Sequence, residues 1–260
     1  MGKKKGHTYK FDKVTKLGID EFSLKKGHKN FLCVLVDLED NTVIDVLEKR
    51  TKEYLIKYFK DLGDTFCNRI TVLSSDMWDG FAGLVGTVFP NAKLVIDRFH
   101  LFKNLNKALD NFRKQLKRTL FKDTNLEQGK LRFALLKPSE RLTIEECQIL
   151  NASFQISMDL KIFYTLKEDL RTIFEQKISR TEALQKITKW KDQAQIFNNK
   201  CLNIFVKTLT NWWDGALNFF IERISNGVVE GKNNKIKMIK RRGFGFLNFF
   251  NFRARILNEC

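Results

Sequence analysis

The apolar positions between residues 17 and 47 predict three β-strands. Residues 17–22 alternate between the two faces of a strand, with the adjacent acids Asp20 and Glu21 in the middle of an otherwise apolar segment. Residues 31–36 form a continuous apolar run, which is typical of a strand buried on both faces. After a turn rich in Asp and Asn, residues 42–47 return as a third strand, which completes a predicted hairpin over 29–48.

Helical spacing then alternates with short β-rich runs. The predicted order is a helix at 55–62, a strand at 70–73, a helix at 81–88 that ends before Pro90, a strand at 94–96 and a long helix at 98–118. Three antiparallel strands followed by alternating helices and strands predict a mixed sheet with helices packed on it. The predicted fold class is therefore α/β.

The strand signals stop at about residue 122, and amphipathic helical patterns dominate from there to residue 223. This segment of about a hundred residues is predicted to be an all-helical insertion into the sheet-based domain. The predicted organisation is a basic arm at 1–14, the first part of the core at 15–121, the insertion at 122–223 and the rest of the core at 224–260.

A helix is predicted over 225–241, opened by Asn226 and Gly227. One apolar stripe is predicted along it, formed by Val229, Ile236 and Ile239. The opposite, polar face carries an acid, two amides and two cations, namely Glu230, Asn233, Asn234, Lys237 and Arg241. Such a face suits a metal ion and phosphates. The alternative is a solvated surface, in which Glu230 lies in the first turn because the helix dipole favours an anion there.

The net charge points to a class of partner. Lys and Arg number 47 against 30 Asp and Glu, which gives +17 and favours a polyanion such as nucleic acid. The alternative is the compositional bias of an AT-rich genome, which raises the lysine content by itself. The five cysteines form no Cys-x-x-Cys pair, which predicts reduced thiols in a cytosolic protein and no zinc site. No apolar run reaches the 18 residues of a membrane span.

Three acids lie at positions where chemistry is expected: Asp20 on the first strand, Asp76 at the end of the fourth strand and Glu230 on the last helix. Ligands collect at the carboxyl ends of strands, and carboxylates without His or Cys favour Mg²⁺ or Mn²⁺. Two such ions about 4 Å apart can activate a water or a 3′-hydroxyl for attack on a phosphodiester. Alternatively, Asp76 and a fourth candidate, Asp97, cap the helices that follow them, and Asp20 pairs with a lysine.

Seven segments in this chain occur together in a known order. They are Gly18-Ile-Asp-Glu-Phe22, Lys26-Gly-His-Lys29, Ser75-Asp-Met-Trp78, Pro90-Asn-Ala-Lys93, Val95-Ile-Asp-Arg-Phe-His100, Ser225 to Lys237 and Arg241 to Arg253. Together they resemble the DDE transposases of bacterial insertion sequences, in particular the ISL-three (ISL3) family. The resemblance runs from about Leu17 to Leu257.

This resemblance implies a ribonuclease H-like fold with an all-helical insertion before the last catalytic helix. It implies that Asp20, Asp76 and Glu230 are catalytic and hold two Mg²⁺ ions, with Mn²⁺ as a substitute, and that Asp97 and His100 are accessory residues. The implied reaction is metal-dependent cleavage of transposon-end DNA, followed by strand transfer of the 3′-hydroxyl into target DNA. We expect a homodimer or larger assembly on DNA, a cytoplasmic, nucleoid-associated location and no membrane partner.

DNA contacts are expected mainly from the last helix. The expected residues are Lys232, Asn233, Asn234, Lys237, Lys240, Arg241, Arg242 and, beside the second acid, Trp78. Lys237 stands seven residues after Glu230, where related transposases carry a lysine that contacts the backbone of the transposon end. Trp78 either packs in the core or wedges against DNA, since a large residue at a catalytic strand end suits the second role. The aromatic cluster from Phe244 to Phe252 either packs in the core, which the general burial of Phe favours, or stacks on unpaired bases.

One departure from the family bears on activity. Family members carry an N-terminal zinc motif and a helix-turn-helix that recognise the ends of the element, whereas only about 16 residues precede the first strand here. We therefore expect a truncated copy, an isolated catalytic domain or part of a gene split by a frameshift. The alternative function is a catalytically inactive DNA-binding remnant that modulates full-length transposase. A ribonuclease H-like nuclease or resolvase is a third possibility, against which the helical insertion and the C-terminal segment argue.

Overall fold

The computed structural model describes residues 11–23, 31–122, 124–224, 227–246 and 248–260. Three sequence predictions lie outside these residues: most of the basic arm, the Lys26–Lys29 segment, and the opening of the last helix at Asn226.

Strands occupy the first part of the described chain, and helices dominate the rest. The strands are β1 (Lys16–Ser23), β2 (Phe31–Asp37), β3 (Thr42–Leu47), β4 (Val72–Ser75) and β5 (Lys93–Ile96). The helices are α1 (Lys52–Asp61), α2 (Asp64–Arg69), α3 (Asp79–Ala82), α4 (Arg98–Arg118), α5 (Gln128–Leu136), α6 (Ile144–Ile156), α7 (Met158–Glu175), α8 (Arg180–Phe197), α9 (Lys200–Asn211), α10 (Trp213–Glu222), α11 (Gly227–Arg242) and α12 (Phe249–Glu259). None of the helices in the described ranges combines the length and the hydrophobicity that crossing a bilayer requires.

The five strands form one mixed sheet in the order β3-β2-β1-β4-β5. β1, β4 and β5 are parallel, and β2 runs antiparallel between β1 and β3. Consequently β1, β3, β4 and β5 all end where β2 begins, and we call this the carboxyl end of the sheet. The predicted α/β class is confirmed, and the sheet with its flanking helices has the ribonuclease H-like arrangement.

Side-chain alternation along the strands divides the core of the sheet into two layers. Leu17 belongs to a cluster that includes Phe59 of α1, and we call this side the α1–α3 face. Phe22 belongs to a second cluster, formed with Val229 of α11 and Phe252 of α12, on the α11–α12 face. Each of these side chains is almost fully buried, and such burial stabilises the fold by about 1.5–3 kcal/mol per large apolar residue.

Between α1 and β5 the local structure differs from the sequence prediction. The helix expected at 81–88 is only α3, which ends before Gly83. Gly86 has a φ of 78°, a left-handed conformation that glycine adopts without steric cost, and the chain continues in turns as far as β5. β4 begins two residues later than expected, and the short α2 was not predicted.

The described chain divides into two compact units. The first unit comprises the described residues up to Phe99 together with Asp214–Cys260, and it contains the sheet. The second unit comprises His100–Trp213, and its described residues contain no strand. The predicted insertion boundaries at residues 122 and 223 remain predictions.

The helical unit has a polar network in its interior. The ammonium of Lys167 donates to the carbonyl oxygens of Leu135 and Lys137 at 2.9 and 3.1 Å, where α5 ends, and burial lowers the pKa of Lys167. Burial raises the pKa of neighbouring Glu168, but hydrogen bonds from Lys167 and Arg171 outweigh it and lower the pKa to about 2. The contribution of this carboxylate to stability is therefore complete above its ordinary pKa of 4.5 and is lost as the pH falls towards 2.

In the sheet unit, a buried carboxylate joins the two faces of the sheet. Asp45 of β3 is 4% exposed and accepts two hydrogen bonds from Arg253 of α12, at 2.5 and 2.9 Å. Its second oxygen also accepts from the Tyr58 hydroxyl of α1 at 2.5 Å. Burial and the charge of Asp45 raise the pKa of Tyr58, so this hydroxyl remains a donor at all ordinary pH values. The bidentate pair ties the C-terminal helix to the sheet.

We expect Arg253→Ala to lower the free energy of unfolding by about 3 kcal/mol, because the charge of Asp45 would remain buried without its partner. Urea unfolding followed by circular dichroism measures this. Arg255→Ala is the matched control on the same helix, since Arg255 is exposed and forms an ion pair with Glu259. Its expected effect is within about 0.5 kcal/mol. Equal losses in the two variants would contradict the special role of the Asp45 pair.

Candidate active site

Two of the predicted acids lie at the same level of neighbouring parallel strands. The last paired residues of β1 and β4 are Gly18 and Ser74. Asp20 lies two residues further along β1, and Asp76 lies two residues beyond Ser74, directly after the end of β4. Because parallel strands advance at the same rate per residue, the fold places the two carboxylates at one end of one strand pair.

Asp20 is half-buried and is oriented by two donors. Its Oδ1 accepts the backbone N–H of Glu21 at 2.8 Å, and its Oδ2 accepts the side-chain amide of Asn233 at 2.7 Å. Asn233 belongs to α11 and stands 213 residues away in the chain. The sequence did not indicate this partner, because a helical wheel shows only which residues share a face.

The helix α11 approaches β1 closely because Gly18 has no side chain. A Cβ atom on Gly18 would lie 2.7 Å from Cγ2 of Val229 and 2.8 Å from Cδ2 of Leu38, well inside contact distance. Val229 and Asn233 are one helical turn apart, and they face Gly18 and Asp20 respectively. The first turns of α11 therefore run beside the last residues of β1.

The third predicted acid, Glu230, lies in the first turn of α11 and is exposed. It directly follows Val229, so it belongs to the part of the helix that packs beside β1. Within the described ranges, no three His, Cys, Asp or Glu side chains are grouped closely enough to hold a metal ion. The structure thus brings Asp20 and Asp76 to one end of the sheet, with Glu230 on the adjoining helix.

The predicted accessory residues occupy the turn into α4. Asp97 is 4% exposed, its N–H donates to the Ser75 carbonyl at 2.8 Å, and its carboxylate accepts the N–H of Phe99 at 3.1 Å. Asp97 therefore satisfies a donor at the start of α4, as the capping alternative predicted. His100 lies in the first turn of the same helix.

The charges of two predicted acids, Asp20 and Asp76, act on a buried thiol of the sheet. Burial raises the pKa of the Cys33 thiol well above its ordinary value, and the charges of Asp20 and Asp76 raise it further. Cys33 therefore remains a neutral thiol, and all five cysteines of the chain are free. Asp20 and Asp76 thus both lie near enough to this buried thiol of β2 for their charges to act on it.

The residues present fit a hard divalent cation. The acids supply carboxylate oxygens, which are the ligands that Mg²⁺ and Mn²⁺ prefer. Asn233 is 6% exposed, and its Oδ1 is a buried acceptor that receives no hydrogen bond from any described residue. A water molecule in the coordination shell of an ion beside Asp20 is the kind of donor that this oxygen lacks.

The expected DNA-binding residues of α11 divide into two groups. Asn233 was predicted on the polar face of α11. It is instead buried with the apolar stripe, where its amide donates to Asp20. Lys232 donates to the Cys260 carbonyl at 3.1 Å, and Arg242 forms an ion pair with Glu259, so both engage α12. In the second group, the side chains of Asn234, Lys237 and Arg241 are exposed to solvent, and Lys240 is half-buried.

The aromatic residues also separate. Phe252 is buried, and Phe246 and Phe249 pack against its cluster, in agreement with the core interpretation, whereas Phe244 is fully exposed. Trp78 is half-buried and packs edge-on against Phe81 with 4.7 Å between the ring centroids. Trp78 lies two residues beyond Asp76, and part of its side chain is exposed.

We expect Gly18→Ala to destabilise the protein by about 1–3 kcal/mol, because the added methyl group pushes α11 away from β1. Thermal unfolding monitored at one protein concentration measures the loss. Val229→Ala should recover part of it in the double variant, since it removes the methyl group at 2.7 Å. Strictly additive losses in the double variant would mean that Gly18 and Val229 are not in contact.

Comparison with known proteins places these residues in a family. Residues 17–256 match the model of the ISL3 family of DDE transposases, which is described as transposase. The chain is 28% identical over 240 residues to the transposase for insertion sequence element IS1001 of Bordetella parapertussis, covering 91% of this chain and 58% of that protein. It is also 28% identical over 269 residues to the transposase for insertion sequence element IS1557 of Mycobacterium tuberculosis, with the same coverage of each chain.

The chain thus spans 58% of the length of the curated relatives that it matches. The family match, in contrast, extends over nearly the whole of this chain, from the first residues of β1 to the last turn of α12. The sequence motifs, the ribonuclease H-like sheet and this match agree with one another. The chain belongs to the ISL3 family of DDE transposases.

Proposed function

We propose that this chain cleaves DNA at the ends of an insertion sequence in a divalent-metal-dependent reaction and transfers the freed 3′-hydroxyl to target DNA. The observation that carries the proposal is that Asp20 and Asp76 lie at matching positions at the carboxyl ends of two neighbouring parallel strands. The helix α11 packs beside them. Membership in a transposase family supplies the reaction class.

In this proposal Asp20, Asp76 and Glu230 hold two Mg²⁺ ions, for which Mn²⁺ can substitute. When bound, such ions polarise the phosphodiester and stabilise the attacking and leaving oxygens. Asn233 keeps the Asp20 carboxylate in one orientation. Its Oδ1, which no described residue engages, accepts from the hydration shell of the site. The exposed side chain of Glu230 completes the ligand set by turning towards the two aspartates.

The chain's own cations bind the DNA backbone in this proposal. Lys237 and Arg241 project from the exposed side of α11, and the net charge of +17 favours a polyanion throughout. Lys237 is held by the side-chain oxygen of Asn234 at 3.2 Å, which leaves it at the surface of the helix that carries Glu230. Transposon ends and target DNA are the proposed partners, bound by a homodimer or a larger assembly.

We expect the purified chain to nick supercoiled plasmid with Mn²⁺ and Asp76→Asn to reduce the rate about 100-fold or more, because a metal ligand loses its charge. Gel electrophoresis of the relaxed form measures the rate. Asp79→Asn is the matched control, since Asp79 is an exposed acid three residues further on, in the first turn of α3. This control should nick at the wild-type rate.

The outcomes of the nicking experiment separate the proposed functions. Equal nicking by wild type and Asp76→Asn would contradict the assignment of Asp76 and indicate a contaminating nuclease. Binding of plasmid by the wild type without nicking would favour the inactive DNA-binding remnant. Loss of nicking in both Asp76→Asn and Asp79→Asn would indicate that charge near α3, rather than a metal ligand, determines the rate.

We expect Asn233→Ala to weaken Mn²⁺ binding about 10- to 100-fold, because the Asp20 carboxylate would lose the group that orients it. Isothermal titration of the chain with Mn²⁺ in the absence of DNA measures this affinity. Asn234→Ala, the exposed neighbour on the same helix, should bind Mn²⁺ like the wild type. Equal affinities for all three proteins would remove Asn233 from the proposed site.

A further inference from the structure

A cation that the sequence did not single out lies at the same end of the sheet as the two aspartates. Arg50 stands three residues beyond β3, which places it at the carboxyl end of the sheet. Its guanidinium carbon lies 4.3 Å from the ring centroid of Phe31, the first residue of β2, and 5.2 Å from that of Trp78. Arg50 therefore makes cation–π contacts with two aromatic rings.

The ion-pair partner of Arg50 connects it to the acids. Nη1 of Arg50 pairs with the carboxylate of Glu21, the residue that directly follows Asp20 in β1. Because side chains alternate along a strand, Glu21 and Asp20 point to opposite faces of the sheet. Arg50 and Trp78 therefore flank the carboxyl end on the α1–α3 face, whereas Asn233 and α11 flank it on the other.

The guanidinium has capacity for a second anion. The side chain of Arg50 is 33% exposed, and Glu21 is 31% exposed. Among the described residues, the structure shows no further hydrogen-bond or ion-pair partner for the guanidinium nitrogens beyond Glu21. Arginine carries five N–H donors in a planar fork that matches a phosphate, and stacking on aromatic rings leaves the edge of that fork accessible.

A purely structural role for Arg50 would explain its ion pair with Glu21 but not its contacts with two aromatic rings. An ion pair between half-exposed side chains contributes only about 0–1 kcal/mol to stability, and Lys would serve equally well for it. The two ring contacts instead favour a planar group held rigidly at the surface. Such a preorganised cation loses little side-chain entropy when it binds a phosphate.

We propose that Arg50 is a DNA-binding residue that contacts a backbone phosphate next to the one held at Asp20 and Asp76, with Phe31 and Trp78 as its aromatic support. Glu21 holds the guanidinium in place until the phosphate binds. This proposal rests on the proposed function, because DNA must reach the carboxyl end of the sheet for either to hold. A duplex across this end would meet Arg50 on one face of the sheet and the cations of α11 on the other.

The experiment is fluorescence anisotropy of a labelled 30-base-pair duplex with the full chain, without metal, from 50 to 300 mM salt. Arg50→Gln should weaken binding about tenfold at 100 mM salt and lower the slope of log K against log salt by about one, since one phosphate contact is lost. Arg69→Gln is the control, because Arg69 is a half-buried arginine that donates to the Phe11 carbonyl at the opposite end of the sheet. It should leave both quantities unchanged.

A second variant tests the role of Arg50 independently if Arg50→Gln does not fold. Glu21→Gln releases Arg50 and should raise DNA affinity at least threefold more than Glu39→Gln. Glu39 lies in the turn between β2 and β3, at the opposite end of the sheet, and pairs with Lys16 at 3.6 Å, so it controls for the general gain of one positive charge.

Each outcome decides between the two proposals. An unchanged salt slope in Arg50→Gln, or equal gains in the two glutamate variants, would overturn the role of Arg50 while the wild type still binds DNA. No binding of duplex by the wild type at 50 mM salt would instead overturn the proposed function itself. A lower slope in Arg50→Gln with an unchanged slope in Arg69→Gln is the result that supports Arg50.

Discussion

The close contact between α11 and β1 is the constraint on which the candidate active site depends. Glycine at position 18 lets Val229 reach the strand, and the amide of Asn233 then meets Asp20 one turn later. A single missing side chain in β1 thus sets the distance between the sheet and the helix that carries Glu230. The apolar residues on the same side of α11, Val229, Ile236 and Ile239, bury that helix along its length and keep it in this position.

The unit that carries the site is built from two distant stretches of chain. Residues up to Phe99 supply the sheet with Asp20 and Asp76, and the helix with Glu230 follows only after the whole helical unit. The sheet and α11 therefore pair across more than 200 residues, and the entropy of closing such a loop must be offset by burial in the α11–α12 layer. The bidentate contact between Asp45 and Arg253 adds a directional link to that layer.

The sequence pattern was sufficient for the elements whose side chains are regularly buried. β2 and β3 were found within a residue or two of their bounds, as was α4, because periodic burial leaves a periodic sequence. The length of α3 was overestimated, because Phe81, Leu84 and Val88 are buried at helical spacing although the helix ends at Ala82. Neither the partnership of Asn233 with Asp20 nor the position of Arg50 has a local signal, since each depends on segments that only the fold brings together. The family motifs pointed to the three candidate acids, and the structure shows which residues lie next to them.

The Asp45 contacts have a consequence for assembly. β3 is an outer strand of the sheet, and such strands expose backbone groups with which another chain can pair. Tyr58 reaches Asp45 from α1 on one face, and Arg253 reaches it from α12 on the other, so side chains from both layers meet around this strand. A strand from another molecule that paired with β3 would lie against that junction. In the proposed assembly on DNA, we therefore expect copies of the chain to join through helices or through the DNA itself, rather than by extending the sheet.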